Sequence, residues 1–209
     1  MEKNAALQCR CGAVRGVVAN AAPDTVNHIV CYCDDCQAYL HHLGRTDLFD
    51  AHGGTDIVQV APASLSFVQG KERIMGLRLS PKGLYRWHAG CCKTPLGNTV
   101  GSAIPFVGIV ARVFDGATQK ADDVFGPPIG AVHGKFAVGD APEGSTGFKA
   151  LLIARAIRKV LGWRLTGRTW PHPFFDRATR KPIYPLMTLS SAERAALRPL
   201  CGPRPSAAE

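Results

Sequence analysis

The chain has 209 residues, 46% hydrophobic and 20% charged, with a net charge of +9. That length can bury a core in one or two domains, and the composition is that of a globular protein rather than a fibrous or disordered one. No apolar run approaches the roughly 20 residues that cross a bilayer, so a membrane span is excluded from the reading.

Met1-Glu2-Lys3-Asn4 lacks the basic-then-apolar pattern of a signal peptide. The expectation is a cytoplasmic protein, where thiols stay reduced and clustered cysteines more often hold metal than pair as disulfides. Charge is uneven: residues 1–144 carry 13 Lys/Arg and 13 Asp/Glu, whereas residues 145–209 carry 12 Lys/Arg against Asp176, Glu193 and Glu209. The excess of +9 therefore falls in the last third, which suggests an acidic partner such as nucleic acid, an anionic lipid surface or a small anionic substrate. A solvated basic face is the plainer alternative.

In chain order, Leu7 to Val14 alternates like a strand or hairpin edge, so Cys9 and Cys11 can present their sulfurs on one side, with Gly12 allowing a turn. Val26 to Cys33 reads as a second strand that runs into Cys31-Tyr32-Cys33-Asp34-Asp35-Cys36. A turn at Asp34-Asp35 would bring Cys36 back towards Cys31 and Cys33, the convergence a tetrahedral metal requires. Residues 37 to 56, with His41, His42 and His52, read as a polar, mobile loop beside that site.

Short β-like runs follow at Ile57–Val60, Leu65–Val68, Ile74–Leu79 and Leu84–Trp87, separated by Gly and Pro. They predict a compact antiparallel domain. Cys91 and Cys92 come next, then Ile104–Phe114, which suits a central strand, and a Gly/Pro-rich connection over 116–144 with at most short strands such as Gly134–Val138.

Ser145 can cap a helix running to about Leu161, ended by Gly162. Ala150, Ile153, Ala154, Ile157, Val160 and Leu161 form its apolar stripe, expected to pack on the β domain, with Arg155, Arg158 and Lys159 facing water. Two prolines make Trp170–Phe175 irregular, and Ser190-Ser191-Ala192-Glu193 is a capping box opening a short final helix. The tail beyond Cys201 is expected to be disordered.

Together, Cys9-Arg10-Cys11-Gly12, Cys31 to Cys36, and Arg86 leading through Cys92 to Thr94-Pro95-Leu96 resemble the glutathione-dependent formaldehyde-activating enzyme family, which also includes the centromere protein V-like domains. The resemblance covers about residues 5–115. It implies a mainly β fold, a small antiparallel β-tent, zinc-ribbon-related domain over 1–115. The residues beyond it, outside the resemblance, read as the 116–144 connection and a helical, basic C-terminal extension over 145–209 packed on that domain. The resemblance also implies two zinc positions. Cys9, Cys11 and Cys92 would be structural ligands, and Cys31, Cys33 and Cys36 would hold a reactive zinc in an open site.

The chain departs from the family pattern at the structural site. Ala89 falls on a ligand position, and Lys93 stands where the family usually has glycine. Cys91 and His88 are the candidates for the fourth ligand, and the alternative is packing in place of that zinc.

Three thiolates and one open position suit catalysis, because zinc favours a bound thiolate and polarises a bound oxygen. The resulting expectation is a zinc-dependent carbon–sulfur lyase that adds a thiol such as glutathione to formaldehyde or a similar aldehyde. Asp34, Asp35, His41 and His42 are candidate proton carriers; the plainer reading of the aspartates is that they solvate their turn. The alternative is a non-catalytic, zinc-stabilised binding module whose basic C-terminal region, through Arg155, Arg158 and Lys159, contacts nucleic acid or another acidic partner. No groove-reading motif supports it. A third reading, redox sensing through Cys31, Cys33 and Cys36, requires exposed thiols of depressed pKa.

Overall fold

The computed structural model of the protein describes residues 4–115, 120–147 and 149–203. It is mainly β and largely antiparallel, with helices in its C-terminal part, as the sequence led us to expect. Strands β1 (Ala5–Gln8), β2 (Arg15–Val18) and β5 (Leu65–Gln69) form a three-stranded sheet.

The second sheet has eight strands. Its antiparallel middle is β3 (Asn27–Cys31), β4 (Thr55–Val60), β9 (Val107–Val110), β8 (Thr94–Thr99), β7 (Tyr85–Ala89) and β6 (Ile74–Arg78), in that order. Short parallel strands close both edges: β10 (Ala131–Val132) beside β3 and β11 (Leu186–Thr188) beside β6. The connection and the C-terminal region therefore both contribute to the sheet that carries Cys31 and the turn of Cys91 and Cys92.

Trp87, on β7, is the centre of the core. It is fully buried, donates its indole N–H to Thr99 Oγ1 at 3.0 Å, and stacks on Phe174 with ring centroids 4.7 Å apart and 2° between planes. Phe175 meets it edge-on at 5.7 Å. The irregular Trp170–Phe175 segment, unable to form a helix or strand around its prolines, thus serves as a wedge of aromatic side chains. Pro95 sits inside β8, opposite His88, where the β7–β8 register shifts. A proline inside a sheet is tolerated at such an irregularity because the missing N–H is not needed there.

Several local expectations require correction. The supposed polar loop after Cys36 begins as helix α1 (Asp34–Leu43), closed by Gly44 in the left-handed conformation. Cys36, Tyr39, Leu40 and Leu43 recur at helical spacing and are buried, as is Gln37, while His41 and His42 take the outer side. The run Ile104–Phe114 is a strand only over Val107–Val110, because Pro105 cannot donate to the ladder and residues 112–115 turn into helix α2 (Arg112–Asp115). In the connection, helix α3 (Ala121–Phe125) and β10 appear, and Gly134–Phe136 is a 3-10 turn rather than a strand.

Helix α4 runs Ala150–Leu165 and continues through Gly162, and Ser145 bonds the Pro142 carbonyl instead of capping it. Its facing differs from the expected one. Ile153, Ile157 and Leu161 are exposed, whereas Leu152, Arg155, Ala156, Lys159 and Trp163 lie along the inner side; of the expected pattern, Val160 is half-buried and Arg158 is exposed. Arg155 bonds Asn27 Oδ1 at 2.8 Å and the Pro23 carbonyl at 3.2 Å, and Lys159 bonds the Asp24 carbonyl. Carbonyls of the loop before β3 thus attract the basic residues inward, a preference that apolar periodicity does not register. The final helix, α5 (Ser191–Leu197), starts with the expected capping box. The disorder expected beyond Cys201 does not begin there: Gly202 is buried and its N–H donates to Gln37 Oε1 at 2.6 Å. The tail beyond Pro203 lies outside the described residues.

Candidate metal centres

Four sulfurs meet where the β1–β2 turn faces the β7–β8 turn. Cys9 and Cys11 sit in the first turn, which is closed by a Gly12 N–H to Cys9 carbonyl bond of 2.8 Å with Gly12 at φ +74°. Cys91 and Cys92 sit in the second, where the N–H of Lys93 returns to the Ala89 carbonyl at 2.8 Å and Lys93 adopts φ +55°. That left-handed geometry is one glycine adopts without a Cβ penalty.

The sulfur separations are 3.5 Å for Cys9–Cys11, 3.3 Å for Cys11–Cys91, 4.0 Å for Cys9–Cys91 and 3.9 Å for Cys91–Cys92. A tetrahedral ion bound at about 2.3 Å sets sulfur–sulfur edges of about 3.8 Å, whereas a disulfide needs about 2.05 Å. The donor set therefore fits a four-thiolate ion such as zinc.

Neighbouring groups prepare these thiols. The Val14 N–H points at Cys9 Sγ (3.3 Å), and Thr94 Oγ1 lies 3.1 Å from Cys92 Sγ. Burial opposes ionisation of Cys92, but hydrogen bonds from the Thr94 hydroxyl and from the Cys11 and Thr94 backbone outweigh it and bring that thiol down to about 6. Burial, then hydrogen bonds with Cys11 and Cys92, push Cys91 up to about 12. Thr94 also accepts from buried Arg45 at 3.0 Å, which is paired in turn with Asp47 at 2.8 Å. Such outer partners fix ligand orientation.

The structure joins Cys91, rather than His88, to Cys9, Cys11 and Cys92. His88 keeps its Nδ1 buried without a partner among the described residues, and burial holds its pKa near 4. Ala89 is wholly buried at the end of β7, so the tetrad closes from the turn beyond it.

The other cluster is Cys31, Cys33 and Cys36, with sulfurs within 4.8 Å of one another. Cys31 ends β3, Cys33 is the N-cap of α1, and Cys36 lies in the first helical turn. Convergence therefore comes from a helix start, not from a free turn at Asp34-Asp35. Cys33 Sγ accepts the Cys36 N–H at 3.4 Å, the usual role of an N-cap side chain. The two aspartates do not simply solvate the turn: Arg194 of α5 bridges Asp34 at 2.8 Å and Asp35 at 2.9 Å.

Arg86, fully buried on β7, reaches Cys36 Sγ at 3.8 Å, Asn98 Oδ1 at 3.4 Å and Asp35 Oδ2 at 3.8 Å, and lies over the Tyr39 ring. Hydrogen bonds from Cys31 and Cys33, aided by this guanidinium, hold the Cys36 thiol well below its ordinary value, while hydrogen bonds with Cys33 and Cys36, then burial, raise Cys31. A divalent ion with three thiolates carries one net negative charge, and Arg86 supplies the matching positive one. That donor set also fits zinc, with three protein ligands instead of four.

Ile29, Ile57, Val132 and Leu152 pack around the trio, and Ile29, Val132 and Leu152 also line a cavity of about 290 Å³ beneath α4. His41 and His42 are not positioned for proton transfer here. They lie at the other end of α1, about 8–9 Å along its axis from Cys36, where His41 packs on Phe49 and His42 faces Glu193 and Lys93.

One cluster escaped the sequence reading. Buried His28 sits between Asp56 (Nε2 to Oδ1, 2.5 Å) and the Gly126 carbonyl (Nδ1, 2.7 Å), with Asp122 at 3.8 Å. Both ring nitrogens face acceptors, so the ring is doubly protonated and has no lone pair for a metal. Burial works against the charge but is outweighed by Asp56, Gly126 and Asp122, so the pKa is raised. Strand pairing across β3 and β4, which the sequence does not display, creates this contact.

Fold and sites together define a mainly β protein with two cysteine clusters that could each hold a metal ion. The chain belongs to the family of unknown function DUF6151, whose profile matches residues 1–185. No curated protein matches it. A crystal structure of a Rhodobacter sphaeroides protein is similar at 15% identity and a TM-score of 0.39, over 55% of this chain and 91% of its own. Among the described residues, no helix is long and apolar enough to cross a membrane.

Proposed function

We propose that the protein is a zinc-dependent carbon–sulfur lyase that joins a thiol such as glutathione to formaldehyde or a similar small aldehyde, as the motif resemblance implies. The observation that carries this reading is the contrast between the clusters: four cysteines converge at one, and three, backed by buried Arg86, at the other. Full thiolate coordination is structural, whereas three protein ligands leave a position for substrate.

Cys31, Cys33 and Cys36 would hold the reactive zinc, and Cys9, Cys11, Cys91 and Cys92 the structural one. When bound in the trio, zinc supplies Lewis acidity that favours a thiolate and polarises a carbonyl oxygen. Arg86 balances the charge of the three thiolates, and its contacts with Asn98 and Asp35 fix its direction. Ile29, Ile57, Val132 and Leu152 keep water from the inner side of the trio, while Cys33 is its more accessible member. All eight cysteines are unpaired, which suits a reducing compartment such as the cytoplasm.

The test follows adduct formation between glutathione and formaldehyde with zinc-loaded protein. The expected result is a rate above the protein-free control that disappears in Cys33→Ser/Cys36→Ser. A rate equal to the control with both aliphatic and peptidic thiols would overturn the reading.

A further inference from the structure

A cavity of about 590 Å³ has no place in the proposed chemistry. It lies between the end of α4, the segment after it and the loop that follows β8, and Ser102, Arg164, Thr169, Trp170, Arg177 and Arg180 line it. Three arginines share this lining. Arg164, Arg177 and Arg180 form no ion pair among the described residues. The nearby Asp176 is turned away into its own loop, accepting from the N–H and hydroxyl of Thr179 at 2.7 and 2.8 Å.

Two of the arginines are already held in place. Arg164 donates to the Ala103 carbonyl at 3.0 Å, and Arg180 lies over the Trp170 ring at 4.9 Å. Guanidinium forks match phosphate oxygens, and holding them beforehand lowers the ordering cost of binding. Ser102 and Thr169 belong to the same wall.

We infer that this cavity is a binding site for a compact polyanion, the di- or triphosphate group of a nucleotide or of a free condensed phosphate. Three positive charges gathered on one concave surface suit a ligand carrying two to four negative charges at one place. A nucleic-acid backbone instead calls for cations spread along a groove. The volume is that of a small-molecule site. The same basic segment offers Arg155 and Lys159 less freely, because both are bonded to carbonyls.

The test is calorimetric titration of the zinc-loaded full chain with inorganic pyrophosphate, with ADP, and with a short single-stranded oligonucleotide, with zinc content measured before and after. Pyrophosphate and ADP should bind, and Arg177→Ser/Arg180→Ser should weaken both at least tenfold while leaving zinc content unchanged. Both side chains are exposed, so the variant is expected to fold. Similar affinity for pyrophosphate and ADP would identify the phosphate chain as the recognised group, and much tighter ADP binding would identify a nucleotide. Binding of neither, binding indifferent to the two substitutions, or binding of the oligonucleotide alone would overturn the assignment.

Discussion

Arg86 Nη1 lies 3.8 Å from Cys36 Sγ, and the arginine is 1% exposed. A guanidinium so far from water persists only beside compensating negative charge. Asp35 provides part of it at 3.8 Å, and Cys36, whose thiol is held well below its ordinary value, provides the rest.

Replacing Arg86 by Met should therefore act on the trio. The expected outcome is zinc affinity at that site lowered by roughly 10–100-fold, the range for loss of an outer partner of a metal ligand, with the tetrad unaffected. Competition with a chromophoric chelator reads both affinities. Equal loss at both sites would instead mean general unfolding.

His28 gives a pH signature independent of metal. Its folded pKa is raised above the ordinary value of about 6.5. The stabilisation is therefore complete below the unfolded pKa and is lost as pH rises through the folded one. The Tm advantage of the wild type over His28→Gln should be largest near pH 6 and shrink towards alkaline pH. An advantage that grew with pH would contradict the doubly protonated ring.

Phe174 tests how far the C-terminal region belongs to the core. It is fully buried against Trp87 and Phe67. Phe174→Ala should cost about 3–5 kcal/mol in denaturant unfolding of the whole chain, in one transition. Two separate transitions, with the β-sheet transition unmoved, would show that the segment is peripheral.

The sequence made the sites more legible than their surroundings. Cysteine spacing identified Cys9 with Cys11 and Cys31 with Cys33 and Cys36, because ligands close in sequence must also be close in space. It left the fourth tetrad position open between Cys91 and His88, since that choice depends on the Lys93 turn geometry. Short runs bounded by Gly and Pro marked β4 to β7 well. Helix α1 was hidden because His41 and His42 made its outer side resemble a loop. The facing of α4 was misread at Arg155 and Lys159 because both find carbonyl partners that no periodicity encodes. Arg86, His28 and the arginine cavity come from non-local packing and carry no local signal.

The central claim is that two separate thiolate clusters each bind zinc, the trio with three ligands. Zinc measured per chain on protein purified under reducing conditions tests it most directly. The account expects two ions in the wild type, one in Cys33→Ser/Cys36→Ser and one in Cys9→Ser/Cys11→Ser. A wild-type content of one that is unchanged by Cys33→Ser/Cys36→Ser would contradict it.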